Sequence, residues 1–293
     1  MPITKKKKTI ENKPRIEIEK WLLKGLDCEK KGEFEDAISC YENALQGKES
    51  DKEAWNNIGL VYYQMGDFKN ADDAINKALE LDSEYAIGWE TKGYLYAHLN
   101  RFDDAVEFLS KALEVGGNKA NIWVTLGIIS STQLKFEDAI MAYEKALEDD
   151  PNNLNALNNE GIAYQLLSQL REERESIEML EKAVEYFERA LAIDPNKAEI
   201  WNNYGVVLGF LGRFKSGLSA VDKAILLAPD YANAYFNKAR IYLRVGNKKK
   251  ALIQLKCAIE MDKTLYKKAK EDLTLRKLKD TREFQGLNPE KEG

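Results

Sequence analysis

The chain has 293 residues, of which 32% are charged, and its net charge is −5. This charge disfavours nucleic acid as the main partner, because phosphate binding requires a basic surface. No apolar run approaches the roughly 20 residues of a membrane span, and Lys5–Lys8 have no apolar segment behind them that would indicate a secretory signal. Three scattered cysteines are too few for a disulfide framework. We therefore expect a cytoplasmic protein.

A pattern of small and aromatic residues recurs along the chain, mostly at intervals of 34 residues. The small residues are Gly25, Gly59, Gly93, Gly127 and Gly161, followed after a step of 44 by Gly205 and Ala239. Four residues before them stand Trp21, Trp55, Trp89, Trp123, Leu157, Trp201 and Tyr235. Further along each unit come Ala37, Ala71, Ala105, Ala139, Ala183, Gly217 and Ala251. Such regular recurrence indicates seven copies of one structural unit.

Each unit has the pattern of two helices separated by a turn. In the second repeat, one face of the first predicted helix carries Trp55, Ile58, Gly59 and Tyr62 at helical spacing. Gly66 and Asp67 then break the helix, and the second helix places Ala71, Ile75, Ala78 and Leu79 on its inner face. Small residues allow the axes of two helices to approach to about 8 Å. We therefore expect Gly59 and Ala71 to meet.

The period and the order of Trp, Gly, Tyr, Ala, Ala and Pro resemble the tetratricopeptide repeat. The resemblance implies an all-α fold, a right-handed superhelical solenoid of helix-turn-helix units. Residues 1–17 are predicted to be a disordered basic tail, and residues 266–293 a capping helix with a C-terminal tail. The predicted units span residues 18–51, 52–85, 86–119, 120–153, 154–197, 198–231 and 232–265.

Two segments depart from the regular pattern. The fifth unit contains ten extra residues around 168–177, which have good helix formers and are expected to lengthen both of its helices. This insertion is either a projecting element for a partner or a tolerated extension of a turn. The four lysines Lys5–Lys8 are either a polyanion-binding arm or a solvated tail.

The sequence offers little that could support catalysis. His98 is the only histidine, which leaves no multi-histidine metal site and one candidate for any histidine-based triad. No glycine-rich phosphate-binding motif occurs, and the acidic residues are scattered over predicted helix surfaces. We predict no catalytic residue, no metal site and no cofactor.

The face of each first helix opposite the Trp and Gly positions carries a series of polar residues. Two residues before the small residue stand Asn57, Thr91, Thr125, Asn159, Asn203 and Asn237, and the preceding position adds Asn56, Asn158 and Asn202. Asparagine is a poor helix former, so its recurrence within helices suggests a use. The series resembles the asparagine ladder by which the tetratricopeptide superhelix of O-linked N-acetylglucosamine transferases holds peptide backbones. The same face is expected to include Tyr94, His98, Phe210, Arg240 and Arg244.

An alternative is that these asparagines bond to one another or to adjacent helices. A clamp for the acidic tails of chaperones is not expected, because the Lys, Asn and Arg positions of that clamp are absent. The predicted function is a protein–protein interaction adaptor that binds an extended peptide or a partner helix in a concave groove. The alternatives are a regulatory or recruiting subunit of a separate enzyme, or a polyanion-binding adaptor that uses the Lys-rich tail. Self-association through the end repeats is also left open.

Overall fold

The computed structural model describes residues 15–47 and 50–289, and every regular element within them is helical. The expected all-α architecture of paired helices is confirmed in these residues. The chain divides into two compact units, the first ending at Ile129 and the second beginning at Ser130. The expectation of a disordered tail falls almost entirely outside the described residues, although its last three positions already belong to the first helix.

The helices of the first unit pack as consecutive hairpins, α1 with α2, α3 with α4, and α5 with α6. Their bounds are α1 Arg15–Lys31, α2 Phe34–Gly47, α3 Lys52–Gln64, α4 Phe68–Leu81, α5 Ala86–His98 and α6 Phe102–Glu114. A further helix, α7 Lys119–Thr132, runs across the boundary between the two units.

The second unit continues the same arrangement, with the hairpins α9–α10, α11–α12 and α13–α14. Its helices are α8 Phe136–Asp149, α9 Leu154–Ser168, α10 Glu173–Ile193, α11 Ala198–Phe210, α12 Phe214–Leu227, α13 Ala232–Arg244, α14 Lys248–Met261, α15 Thr264–Glu271 and α16 Arg282–Gln285. A 3-10 turn over Leu275–Leu278 lies between α15 and α16.

Close approach between the two helices of a hairpin explains the recurring small residues. A Cβ atom on Gly59 would lie 2.7 Å from Ile75 Cγ1 and 3.2 Å from the carbonyl oxygen of Ala71. Gly59 therefore meets Ala71 as expected. At Gly205 a Cβ atom would lie 2.8 Å from the carbonyl oxygen of Gly217. A larger side chain would force the two helices apart.

The aromatic residue near the start of a first helix is tied to the turn before it. Trp89 Nε1 donates a hydrogen bond to the carbonyl oxygen of Ser83 at 2.8 Å, and Trp201 Nε1 donates to that of Pro195 at 2.8 Å. Tyr235 makes the equivalent bond, because its hydroxyl donates to the carbonyl oxygen of a turn proline six residues earlier at 3.0 Å. Trp and Tyr combine a large apolar ring with such a donor, which explains their shared position.

The ten-residue insertion lengthens mainly the second helix of its hairpin. Helix α10 has 21 residues, whereas α9 has 15 and α12 has 14. Both helices are longer than α11 and α12, which have 13 and 14 residues, as expected, and α10 takes most of the insertion because the turn forms soon after Ser168. Arg171 in that turn forms an exposed ion pair with Glu137 of α8, a contact between neighbouring hairpins.

The C-terminal cap is a broken chain of short helices rather than one capping helix. Leu275, Leu278 and Phe284 are buried with Phe236 and Leu255 in one apolar cluster, so the segment covers the last hairpin as expected. The predicted helix breaks at Asp272, whose Oδ1 accepts hydrogen bonds from the backbone N–H groups of residues 274 and 275. This break leaves Leu273 71% exposed.

We predict that Gly205→Ala destabilises the protein, because the added methyl group meets the backbone of α12. Overpacking of this kind costs about 1–3 kcal/mol. The measurement is the free energy of unfolding from urea denaturation followed by circular dichroism. Gly286→Ala is the matched control, since a Cβ there has no neighbour closer than 3.4 Å. Equal stability of the two variants would contradict the close approach at Gly205.

Candidate functional site

The candidate site lies on the first helices of the second unit. Helix α11 contacts both α9 and α13, so the three helices lie side by side. We call the asparagines that they share the amide row. Its members are Asn158 and Asn159 of α9, Asn202 and Asn203 of α11, and Asn237 of α13.

Four hydrogen bonds connect most of the amide row into one chain. Arg240 Nη1 donates to Asn237 Oδ1 at 3.3 Å, and Asn237 Nδ2 donates to Asn202 Oδ1 at 3.0 Å. Asn202 Nδ2 donates to Asn203 Oδ1 at 3.3 Å, and Asn203 Nδ2 donates to Asn158 Oδ1 at 3.2 Å. The chain therefore connects all three first helices through their side chains.

These bonds account for part of the recurrence of asparagine. A side-chain amide carries two N–H donors and an oxygen with two acceptor sites. The chain uses one donor each of Asn202, Asn203 and Asn237, whereas Asn158 only accepts. Inter-helix bonding, one of the two interpretations of the sequence, is therefore present in this unit. Asn203 and Asn237 are only half-buried and each retains an unused N–H. Asn159 is also half-buried, and within the described residues its amide has no hydrogen-bond partner.

Three of the sequence-predicted site residues are buried. Asn56 is 1% exposed, Asn202 3% and Thr91 6%. The hydroxyl of Thr91 donates to the carbonyl oxygen of Ile87 in its own helix at 2.8 Å. These side chains support their neighbours and offer little surface to a ligand.

In the first unit, the predicted site residues bond mainly within their own helices. Tyr94 donates its hydroxyl hydrogen bond to Glu90 Oε2 at 3.4 Å, and burial is the main cause that raises its pKa to about 12. Thr125 donates to the carbonyl oxygen of Asn121 at 3.0 Å. Asn57 is half-buried and has no hydrogen-bond partner among the described residues.

His98 is the other predicted site residue of the first unit. It is exposed, and its ring lies 5.2 Å from that of Tyr63 and 5.3 Å from that of Phe68. The imidazole therefore packs at the edge of an aromatic group on the preceding hairpin.

The C-terminal end of the amide row is positively charged. The guanidinium groups of Arg240 and Arg244 lie 5.5 and 4.6 Å from the ring centre of Phe210. Arg240 Nε is also paired with Asp272 of the cap at 3.1 Å, whereas Arg244 Nη1 donates to the carbonyl oxygen of Gly209 at 2.9 Å. The structure thus brings the predicted residues Phe210, Arg240 and Arg244 together next to Asn237.

Sequence reasoning missed Glu160, a carboxyl group in the middle of α9. Its residue is 0% exposed, and neither carboxyl oxygen has a hydrogen-bond partner at good geometry. Burial raises the pKa of Glu160 from 4.5 to about 7, and the nearby Tyr186 hydroxyl acts in the opposite direction. Glu160 directly precedes Gly161, one of the recurring small residues at the hairpin interface. This neighbour is the sequence signal that could have indicated that Glu160 is buried.

No group of three or more His, Cys, Asp or Glu side chains in the described residues is arranged to hold a metal ion. None of the helices in residues 15–47 and 50–289 is long and apolar enough to cross a membrane.

Five family models, all described as tetratricopeptide or TPR repeats, match the chain. They match residues 25–66, 53–85, 87–115, 142–175 and 196–264. These ranges fall in both compact units. No curated protein sequence matches the chain.

Solved structures of helical-repeat proteins resemble the chain in fold. A tetratricopeptide repeat protein from Parabacteroides merdae ATCC 43184 is 15% identical with a TM-score of 0.61, and the match covers 93% of this chain and 98% of that one. The pilF protein of Pseudomonas aeruginosa is 19% identical with a TM-score of 0.60 over 83% of this chain and 98% of that one.

A third match is to the Cut9–Hcn1 hetero-tetramer of the APC/C. It is 15% identical with a TM-score of 0.67 and covers 92% of this chain, which spans 48% of the matched chain. At these identities the likeness concerns the fold alone.

We predict that Glu160 makes stability depend on pH. The pKa of its carboxyl group is higher in the folded state, about 7, than its ordinary value of 4.5. The folded state therefore holds the proton of Glu160 more tightly than the unfolded state does. The stability that this proton contributes is complete below pH 4.5 and is lost as the pH rises to about 7. We expect the free energy of unfolding to fall by roughly 2–3 kcal/mol across this range.

The measurement is urea denaturation between pH 4.5 and 8 on the wild type and Glu160→Gln. The glutamine keeps the shape but does not ionise, so its curve should lack most of the decline. Glu148→Gln, at an exposed position of α8, is the matched control and should follow the wild type. A decline that is the same in the Glu160→Gln variant would refute this assignment.

Proposed function

Because the chain is a tetratricopeptide repeat protein, we propose that it is a non-catalytic adaptor that holds an extended peptide of a protein partner against the amide row. Tetratricopeptide folds serve as protein interaction scaffolds, which offer extended surfaces along their stacked units. The face proposed for binding is the one that carries the amide row in the second unit, and the peptide is bound in an extended form.

The observation that carries the proposal is unused hydrogen-bonding capacity at half-buried amides. Asn159 has a complete amide available, and Asn203 and Asn237 each have one N–H left. These groups recur on three adjacent helices. An amide can accept from the N–H and donate to the C=O of a peptide backbone.

An extended peptide fits this surface better than a partner helix. The backbone groups of an α-helix are already bonded to one another except at its ends. An extended segment presents an unpaired N–H and C=O at each residue, which the amide row can satisfy. The half-buried side chains of Val206 and Phe210, next to the row, offer apolar contacts to its side chains.

We infer the contact residues from their accessibility. In the second unit they are Asn159, Asn203, Asn237 and Phe210, with Asn158 and Arg240 at the edges of the bonded chain. Asn202 is omitted because it is buried. We expect Asn57, Tyr94 and Thr125 to contribute contacts in the first unit, and the Lys-rich tail lies outside the described residues.

We predict that Asn159→Ala weakens peptide binding without destabilising the fold, because the amide removed has no partner within the protein. Peptides are first selected on the wild-type chain from a phage-displayed library of random dodecapeptides. Synthetic copies of the enriched peptides are then measured by fluorescence anisotropy. Loss of one or two backbone hydrogen bonds corresponds to an increase in Kd of about tenfold. The triple variant Asn159→Ala/Asn203→Ala/Asn237→Ala should lose binding entirely.

The matched control is Asn70→Ala/Asn152→Ala/Asn196→Ala, which removes three exposed amides elsewhere. It should bind as the wild type does, and circular dichroism should show that every variant is folded. Failure to enrich any peptide, or equal binding by the triple variant and the control, would refute the proposed function.

A further inference from the structure

A second concave feature adjoins the end of the amide row. A cleft of about 430 Å³ lies between the last hairpin and the C-terminal cap. We call it the basic cleft, because its charged lining residues are Arg244, Lys248 and Lys277. The remaining lining residues are Leu243, Gly246, Leu273 and Thr274.

The basic cleft lacks negative charge of its own. No acidic residue lines it, and within residues 15–47 and 50–289 none of its three cations forms an ion pair with a carboxylate. Asp272, the nearest acidic residue in sequence, is paired with Arg240 at 3.1 Å. Burial and then the positive charge of Arg240 lower the pKa of Arg244, against the weaker opposite effect of Asp272. Arg244 stays charged and is poorly compensated.

The side chains are placed so that a ligand could reach them. Lys248 and Lys277 are exposed and have no side-chain hydrogen bond in the described residues. Leu273 is 71% exposed at the same cleft, because the helix breaks at Asp272. A patch with an apolar side chain and three uncompensated cations favours an anionic group carried on a partly apolar chain.

The cleft is also continuous with the proposed peptide site. Arg244 lines the cleft and also the hollow formed by Val206, Phe210 and Asn237. A peptide that follows the amide row across α9, α11 and α13 therefore reaches the basic cleft at the C-terminal end of the protein.

We propose that the basic cleft binds adjacent Asp or Glu side chains of the partner peptide, so that the protein recognises peptides with an acidic segment at one end. This inference rests on the proposed function. Carboxylates suit the site because guanidinium and ammonium groups form charge-assisted hydrogen bonds with them.

A nucleic acid is the less favoured occupant. Its binding requires cations spaced along many phosphates, whereas the charge of the whole chain is −5 and the cations of the cleft are confined to one place. The side chains involved also differ from those of a chaperone-tail clamp, since two of them lie on α14 and the cap.

The experiment uses the full chain and the same random dodecapeptide library. We expect the peptides enriched by the wild type to contain two or more neighbouring acidic residues. The variant Lys248→Glu/Lys277→Glu reverses two exposed charges while leaving the contacts of Arg244 with Phe210 and Gly209 in place. It should bind the enriched peptides at least about tenfold more weakly, with the difference reduced at high salt.

The matched control is Lys215→Glu/Lys263→Glu, which makes the same change of net charge at exposed positions away from the cleft. It should retain wild-type affinity. Peptides with Gln and Asn in place of Glu and Asp should bind the wild type about tenfold more weakly than the acidic peptides do. Their affinity for the wild type should equal their affinity for Lys248→Glu/Lys277→Glu. Amidation of the peptide C-terminus should have no effect, because side chains and not the terminal carboxylate are recognised.

Several results would overturn the inference. Enriched peptides without acidic residues, whose binding depends on Asn159 but not on Lys248 and Lys277, would refute the recognition of acidic side chains by the basic cleft and leave the proposed function standing. Tighter binding of a single-stranded RNA oligonucleotide than of the acidic peptide, lost in the same variant, would replace the peptide with a nucleic acid. If amidation of the peptide C-terminus weakened binding as much as the replacement of Glu and Asp by Gln and Asn does, the basic cleft would bind the terminal carboxylate and not acidic side chains. A library that yields no enriched peptide would refute both proposals.

Discussion

The close approach of two helices at a small residue is the constraint on which the rest of the structure depends. Position 205 has no room for a Cβ atom, because the carbonyl oxygen of Gly217 occupies that space at 2.8 Å. Such contact fixes how each hairpin closes and therefore which residues remain outside it. The residues opposite the small positions, including the half-buried members of the amide row, are thereby left on the accessible side of the first helices. Packing on one face thus determines the chemistry available on the other.

The amide row shows how a polar surface can serve structure and binding together. Asparagine is unfavourable within a helix because its side chain competes for backbone hydrogen bonds. In the second unit, Asn237 bonds to Asn202 and Asn203 bonds to Asn158, each across two neighbouring helices. These bonds orient Asn158, Asn202, Asn203 and Asn237, whereas Asn159 is not part of the bonded chain. Pre-organised groups lose less conformational entropy on binding, so a bonded row favours recognition as well as packing.

Much of the fold could be predicted from the sequence because each repeat carries its own local signals. The second helices begin at Phe34, Phe68 and Phe102, directly after the predicted turns. The insertion could not be placed in the same way. Its residues are good helix formers throughout, so local propensity does not indicate where the turn forms. Contacts of the turn with the preceding hairpin, such as the exposed ion pair between Arg171 and Glu137, leave no mark on helix propensity.

The candidate site was only partly predictable, for a related reason. The positions of the asparagines follow from the repeat, but helical spacing alone does not separate buried Asn202 from half-buried Asn203, which are consecutive residues. Their burial depends on how closely α13 packs against α11. The hydrogen bond between Asn237 and Asn202 and that between Asn203 and Asn158 also require the neighbouring helices. Sequence periodicity identifies the face, and the packing of the next hairpin decides which members of the face are accessible.

The C-terminal cap combines both roles in one short segment. Leu275 and Leu278 are completely buried against the last hairpin, so the segment completes the apolar core that a terminal repeat would otherwise expose. Asp272 starts the same segment, turns the backbone through its bonds to residues 274 and 275, and pairs with Arg240 beside the amide row. The turn places Leu273, Thr274 and Lys277 at the basic cleft. The break in the predicted helix is therefore what allows one segment to cover the core and to form one wall of the cleft.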